Sequence, residues 1–285
     1  MKDGYLTCAC ASFPVALADV NHNKNEILKI SESLAAYNDK VNEYYKTNTR
    51  LLVFPELCLS GYSIEDLFQQ QLVLDTCKSA LKEIVEESKK YDLVMVIGMP
   101  LQVKNSLYNV AAVVQKGKVL AFVPKTCIPT YQEFYEGRRF IPAPKENQSI
   151  DFYGKKVPFG THYIFSCEEN SYFTFGVEIC EDLWIPNSPS ISLALNGANI
   201  ICNPSASNEI TTKADYRKNL VSMQSAKLMC AYLYSSAGNG ESSTDIVYSG
   251  HHIVCENGTV LKESRKYEPE IIYADIDVMK LSSER

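Results

Sequence analysis

No stretch of this sequence comes near the roughly 18 consecutive apolar residues that a membrane-spanning helix needs, so no membrane association is expected. Positive charge is in the minority: 28 Lys and Arg stand against 34 Asp and Glu, a formal net charge of −6. With no basic tail or patch in sight, a nucleic-acid backbone is not expected as a partner. Histidines number only four, at positions 22, 162, 251 and 252, which leaves few candidates for an imidazole base. None of the ten cysteines has a partner at CxxC spacing, and this disfavours zinc ribbons and thioredoxin-type motifs. The chain has no internal repeat, no low-complexity stretch and no Pro/Ser-rich linker. No signal peptide is visible at Met1-Lys2-Asp3-Gly4, so a cytoplasmic location is expected.

What is present is ordinary globular composition, 46% apolar and 22% charged over 285 residues. A chain of this length buries about 75% of its unfolded surface and needs no disulfide or metal staple. Most cysteines sit among apolar neighbours, as in Leu6-Thr7-Cys8-Ala9-Cys10 and Ile200-Ile201-Cys202. They read as reduced thiols packing as small hydrophobes in a reducing compartment.

Short apolar strands alternate with amphipathic helical segments. Strands are expected at 5–12, 51–54 and 93–97, with helices at 24–46 and 66–91 on the spacing of Ile27, Ile30, Leu34 and Val41, then Leu74, Leu81, Ile84 and Val85. Strands at 108–115 and 118–123 flank Lys116-Gly117 as a hairpin. Residues 150–167 alternate weakly. Further strands are expected at 172–178, 198–202, 231–235, 245–248 and 251–255, and helices at 186–196 and 215–229. Asn257-Gly258 supplies a turn. The pattern predicts a single α/β domain over 1–285, helices outside, with a mixed rather than purely parallel sheet.

Three chemically able residues each follow an apolar strand. Glu56 comes straight after Leu51-Leu52-Val53-Phe54-Pro55, at the carboxyl edge where α/β sites are built. A carboxyl partly buried there can act as a general base. Lys125 ends Phe122-Val123-Pro124 and precedes a loop rich in aromatics, where a fixed cation can hold an oxyanion. Cys180 lies where the strand 173–177 runs into the acidic segment Glu178-Ile179-Cys180-Glu181-Asp182, on what should be a sharp turn with the sulfur exposed. The acidic neighbours oppose a thiolate unless they are paired or point away. Taken singly, each residue has a plain structural reading as a packed thiol, a helix cap or a solvated lysine.

Together the three resemble the nitrilase, or carbon–nitrogen hydrolase, superfamily. Phe54-Pro55-Glu56-Leu57-Cys58-Leu59-Ser60-Gly61-Tyr62 is similar to its first signature, Lys125-Thr126 with Glu133-Phe134-Tyr135-Glu136 to its second, and Glu178 to Trp184 to its third. The blocks Glu65-Asp66-Leu67-Phe68, Pro129 to Glu136 and Asn203-Pro204-Ser205-Ala206-Ser207-Asn208-Glu209 narrow the resemblance to the N-terminal glutaminase domain of glutamine-dependent NAD(+) synthetases. The resemblance implies a four-layer αββα sandwich that pairs into a homo-oligomer. It implies Cys180 as nucleophile, Glu56 as base, Lys125 for the oxyanion, and Glu133 as a second acid positioning the lysine and substrate. Tyr62, Tyr131, Glu181, Trp184, Ser207 and Lys213 match positions lining the glutamine pocket.

The same resemblance implies no cofactor and no metal for the glutaminase step. ATP and Mg would serve only a synthetase domain, the expected partner, and its Ser-Gly-Gly-x-Asp-Ser loop is not found; Ser249-Gly250-His251-His252 is the nearest string. A separate subunit or a piece of a longer chain is therefore expected. Three other readings stay open at this point: a free-standing amidase or carbamoylase, a Cys-His hydrolase using His251 or His252, and a non-catalytic scaffold.

Overall fold

A computed structural model describes residues 4–40 and 49–285. In chain order the elements are β1 (Tyr5–Ala11), α1 (Val20–Lys40), β2 (Thr49–Val53), α2 (Gln71–Glu87), β3 (Val94–Val103), β4 (Ser106–Gln115) and β5 (Lys118–Pro124). Then follow β6 (Gln148–Phe152), β7 (Lys155–Phe159), β8 (Phe165–Cys167), β9 (Asn170–Val177), α3 (Pro189–Leu195), β10 (Ile200–Ser205) and α4 (Lys213–Leu228). The last are β11 (Ala231–Ser236), β12 (Ile253–Glu256), β13 (Thr259–Glu263), β14 (Ile271–Asp277) and α5 (Val278–Ser283).

The strands form two sheets, ordered β14-β1-β2-β3-β4-β5-β7-β6 and β13-β12-β11-β10-β9-β8. Each has a parallel centre, β1-β2-β3 in one and β9-β10-β11 in the other, flanked by antiparallel strands. The hairpin β4-β5 around Lys116-Gly117 and the turn at Asn257-Gly258 are among the causes of that mixture.

Side-chain alternation sorts the strands into layers. Leu51 and Val53 face the other sheet, together with Cys8, Cys10, Val96, Ala111, Val177, Cys202, Ala231 and Leu233. Leu52 and Phe54 face the opposite way, toward Ile27, Ile30 and Leu34 of α1 and Cys77, Leu81 and Ile84 of α2. On the far side Leu193 of α3 and Val221 and Leu228 of α4 cover Ile201, Tyr232 and Ile253. The result is the expected αββα sandwich.

Several local expectations are revised. The segment 66–91 is not one helix: α2 is bracketed by 3₁₀ turns at Glu65–Gln69 and Ser88–Lys90. The first helix begins at Val20, and its expected extension over 41–46 lies outside the described residues. Helix α3 starts only at Pro189, whose fixed φ suits the first helical position. No strand forms at 245–248; Tyr248 makes a single bridge to Asn208.

One close approach ties the fold to the chemistry. A Cβ at Gly98, in β3, would lie 2.3 Å from the Leu57 nitrogen and 2.4 Å from the Pro55 oxygen. Only glycine lets the turn carrying Glu56 settle onto the neighbouring strand. Gly98→Ala is expected to push that turn outward, lower the melting temperature by several degrees and cut turnover at least tenfold, read by calorimetry and by an amide-hydrolysis assay. Unchanged turnover would show that the position of Glu56 does not depend on this contact.

Candidate active site

Glu56, Lys125 and Cys180 each follow the carboxyl end of a strand: β2, β5 and β9. The first two belong to one sheet and Cys180 to the other. Two links join the sheets here. The Glu56 N–H donates to the Ser205 carbonyl at the end of β10, at 3.3 Å. Asp182, two residues past Cys180, accepts from the Thr126 N–H at 3.1 Å and the Cys127 N–H at 2.7 Å, and its second oxygen accepts from the Ile179 N–H at 3.0 Å. One carboxylate thus pins the lysine loop to the cysteine turn. Burial pushes that carboxyl up to about 7, and the backbone N–H donors from Ile179 and Cys127 pull it back.

Lys125 has no exposed surface. Its Nζ donates to Glu56 Oε1 at 2.6 Å and to Glu136 Oε1 at 2.6 Å. Asn109 Nδ2 donates to Glu56 Oε1 at 2.6 Å, and the Tyr62 hydroxyl donates to Glu136 Oε1 at 2.8 Å. Burial works against charge on Lys125, but the carboxylates of Glu136 and Glu56 outweigh it and hold the ammonium well above its ordinary range. The other oxygen of Glu56, Oε2, is buried and has no hydrogen-bond partner.

Cys180 sits at φ 45°. A left-handed conformation in a non-glycine residue costs about 1–3 kcal/mol and persists only where the surroundings impose it. Its N–H donates to Asn203 Oδ1 at 3.0 Å. Burial raises the thiol pKa strongly, the Glu56 carboxylate raises it further, and Lys125 opposes both. The resting group is therefore a thiol, and only proton removal during attack makes it a good nucleophile. The acidic neighbours are each paired: Glu178 with Tyr232 and Ser190, Glu181 with Tyr131, and Asp182 with backbone N–H groups.

The remaining expected positions form a rim. Tyr131, half exposed, donates to Glu181 Oε1 at 2.9 Å. Lys213 opens α4, with its Nζ 5.0 Å from the Trp184 ring centre and 5.9 Å from that of Phe134. It also bonds Asn208 Oδ1, and burial lowers its pKa. Ser207 is buried, and its hydroxyl accepts from Arg217 at 3.4 Å. Tyr62 lines a small cavity with Leu57, Glu133, Phe134 and Glu136.

One expected role moves. The second acid on Lys125 is Glu136, not Glu133. Glu136 begins a 3₁₀ turn whose amide bonds the Pro129 carbonyl at 3.2 Å, and this turns its carboxylate inward. Glu133 instead accepts from the Asn208 side chain. Both acids lie in the same short motif, and spacing alone does not separate them.

The histidines have other employment. His251 Nδ1 accepts from Arg217 at 2.8 Å and its Nε2 faces Glu263 at 2.8 Å. His252 Nδ1 accepts from the Ser236 N–H at 3.1 Å and its Nε2 bonds the Ser12 hydroxyl at 2.9 Å. Burial drives the His252 pKa down to about 3 and lowers that of His251. With both ring nitrogens of each taken, neither is placed to serve Cys180 as a base. Among the described residues no cluster of three or more His, Cys, Asp or Glu could hold a metal ion, and no helix is long and apolar enough to cross a membrane.

Sequence reasoning missed Asn109, Asn203, Tyr232 and Arg217. Arg217 is fully buried, and besides Ser207 and His251 it bonds Glu209 and the Asn208 carbonyl. An arginine followed directly by Lys218 and Asn219 in a helix carries no local sign of burial. The Asn203-Pro204-Ser205 block was visible, but not its reach to Cys180.

Two mixed sheets between helix layers, with a thiol, a carboxylate and an ammonium gathered at their carboxyl ends, define the nitrilase type of hydrolase fold. The chain belongs to the carbon-nitrogen hydrolase family, whose model matches residues 10–284. It is 38% identical over 286 aligned positions to the glutamine-dependent NAD(+) synthetase of Mycobacterium tuberculosis, spanning 100% of this chain and 41% of that one. It is similar in structure to the glutamine-dependent NAD(+) synthetase of Cytophaga hutchinsonii, with a TM-score of 0.79 at 26% identity over 95% of this chain and 43% of that one. A mutant of the Nesterenkonia AN1 amidase, from the nitrilase superfamily, shares the fold at a TM-score of 0.73 and 17% identity, covering 100% of this chain and 95% of that one. The chain thus spans less than half the length of the synthetases it resembles.

Proposed function

We propose that this chain is a glutamine amidohydrolase that supplies ammonia to an NAD(+) synthetase domain, carried on the rest of a longer chain or on a partner. The observation that carries the reading is the free, buried Oε2 of Glu56, whose other oxygen is held by Lys125 and Asn109. It leaves an uncommitted carboxylate oxygen to take the proton of the Cys180 thiol. As that proton moves to Glu56, the sulfur attacks the side-chain amide carbon of glutamine. The oxyanion is held by Lys125 Nζ. The Cys180 N–H is committed to Asn203, so the backbone part of the oxyanion site falls to the Glu181 N–H. Glu56 then passes the proton to the leaving nitrogen, and ammonia departs from a thioester. Water, deprotonated by the same carboxylate, releases glutamate and restores the thiol.

Glutamine differs from simple amides in its α-amino and α-carboxylate groups. The rim offers both charges: Lys213 for the carboxylate, and Glu181 with Glu133 for the ammonium. Tyr62, Tyr131, Trp184 and Ser207 would complete the pocket. Lysine at 213 makes a point contact rather than a bidentate fork. The step needs no cofactor; ATP and Mg would serve only the synthetase domain that amidates nicotinic acid adenine dinucleotide. All ten cysteines are free, which suits a reducing, cytoplasmic setting. A homo-oligomer is part of this reading.

Ammonia release by this chain from glutamine and from n-butyramide tests it. Glutamine is expected to be preferred at least 100-fold in kcat/KM. Equal rates would favour the free-standing amidase or carbamoylase, and failure of both, with no labelling of Cys180 by a diazoketone analogue of glutamine, would favour the scaffold.

A further inference from the structure

The amide of Cys180 is the end of a buried line of polar groups that the chemistry above does not use. Cys180 N–H can only donate, so the atom 3.0 Å away on Asn203 is its oxygen, Oδ1. That oxygen also accepts from the Ser205 hydroxyl at 2.7 Å. The Asn203 amide nitrogen must then face the other way, and it donates to the Tyr232 hydroxyl at 2.9 Å. With its oxygen accepting from Asn203, Tyr232 sends its own proton to Glu178 Oε1. The remaining oxygen of Glu178 accepts from the Ser190 N–H at 2.7 Å, a group that also can only donate. Glu178, Asn203 and Tyr232 are each at most 1% exposed.

Every direction in the line follows from its two ends. Both are backbone N–H groups, so across the four bonds the side chains must supply four acceptors and only two donors, and an ionised carboxylate, accepting at both oxygens, meets that need. We propose that Glu178, Tyr232 and Asn203 form a one-way hydrogen-bond relay that holds the Cys180 amide, and through it the left-handed backbone of Cys180, in the orientation that aims the sulfur at Glu56. These are positioning residues: none of them touches the reacting atoms. The relay runs across three neighbouring strands, from the turn after β9 through Asn203 inside β10 to Tyr232 near the start of β11, so it sets the cysteine turn by the register of the sheet rather than by its own loop.

The proposal rests on Cys180 being the nucleophile. Tyr232→Phe removes only the hydroxyl and leaves the Asn203 amide nitrogen without its acceptor, so the side chain is held at its oxygen end alone. Glu178→Gln keeps the shape but offers an NH₂ either to the Ser190 N–H, where the bond is lost, or to the Tyr232 hydroxyl, where the direction of the bond must reverse, so the one-way order is broken in either case. Two reactions read the outcome: saturable labelling of Cys180 by the diazoketone analogue, and its alkylation by iodoacetamide, located by peptide mass spectrometry. Each variant is expected to lower the saturating labelling rate about tenfold, with half-saturation changed less than twofold, and to slow alkylation by a similar factor. The double variant is expected to be no worse than the more damaged single one, since residues acting as one line are not additive.

A role in stability alone predicts the opposite: lower melting temperatures with wild-type labelling rates, or losses that multiply in the double variant. Either result overturns the relay. Should Glu178→Gln fail to fold, the split between saturating rate and half-saturation in Tyr232→Phe decides alone. If the wild type resists the glutamine analogue, the glutaminase reading fails, while the iodoacetamide ratio still judges the relay.

Discussion

Cys180→Ala is expected to abolish amide hydrolysis, with a loss on the order of 10⁴-fold or more, while leaving the fold intact. Glu56, Lys125 and Glu136 are locked together and carry no sulfur, His251 and His252 are bonded elsewhere, and the other thiol nearby, Cys127, sits on the lysine loop with its amide held by Asp182 rather than at the end of β9. The stability cost should be small. The side chain is short, and the strained backbone is held from outside by Asn203 and Asp182 rather than by the sulfur. Ammonia release with thermal melting on the same sample makes the test. Substantial turnover in the variant would remove Cys180 from the mechanism and return it to the packed thiols.

Lys125→Met is expected to be worse for the protein and nearly as bad for the chemistry. Among the described residues the ammonium is the only cation bonded to Glu56 and Glu136, and all three groups are buried. Removing it leaves two carboxylates facing one another without a counter-charge. Breaking such a buried arrangement costs about 3–5 kcal/mol. One of the pair will take up a proton to relieve the repulsion. If it is Glu56, the base is lost along with the oxyanion contact, which alone is worth about 10²–10³-fold. Turnover should fall by about 10⁴-fold, with a melting temperature lower by several degrees, and raising the pH should recover part of the activity as the trapped proton is released. Lys125→Arg keeps the charge but not the reach, and in a site with no exposed surface it should not restore the rate. Wild-type turnover in the arginine variant would show that Lys125 merely neutralises its neighbours.

The three candidate reacting residues were legible because each follows an apolar run, and strand ends are where α/β chains place their chemistry. The order Glu56, Lys125, Cys180 then supplied what no single residue could. The choice between Glu133 and Glu136 was not legible, since it depends on which side of a 3₁₀ turn faces inward. The relay was hidden for a different reason. Its members lie at 178, 203 and 232, and only parallel pairing of β9, β10 and β11 brings them together, with Glu178 and Asn203 each one residue past the paired Val177 and Cys202 and Tyr232 opposite Ile201, two residues back from Asn203. Likewise the alternation in β1 and β2 showed burial on both faces, yet not that one face meets helices and the other a second sheet. The expected strand at 245–248 is only a short apolar run, and its pairing stops at one bridge, Tyr248 to Asn208, with the Glu209 N–H on the Val247 carbonyl at 2.7 Å.

Because Glu56 and Cys180 stand on different sheets, the gap between proton donor and acceptor is a thickness. It is set by the residues sandwiched between the sheets, many of them small: Cys8, Cys10, Ala111, Cys202 and Ala231. These thiols and methyls are shims. Sheets pack about 10 Å apart, and a proton transfer tolerates far less slack than that distance allows. Volume added in the middle of the sandwich would therefore be felt at its edge as lost alignment between base and nucleophile. The cysteines that do no chemistry would then still help to decide whether the tenth can.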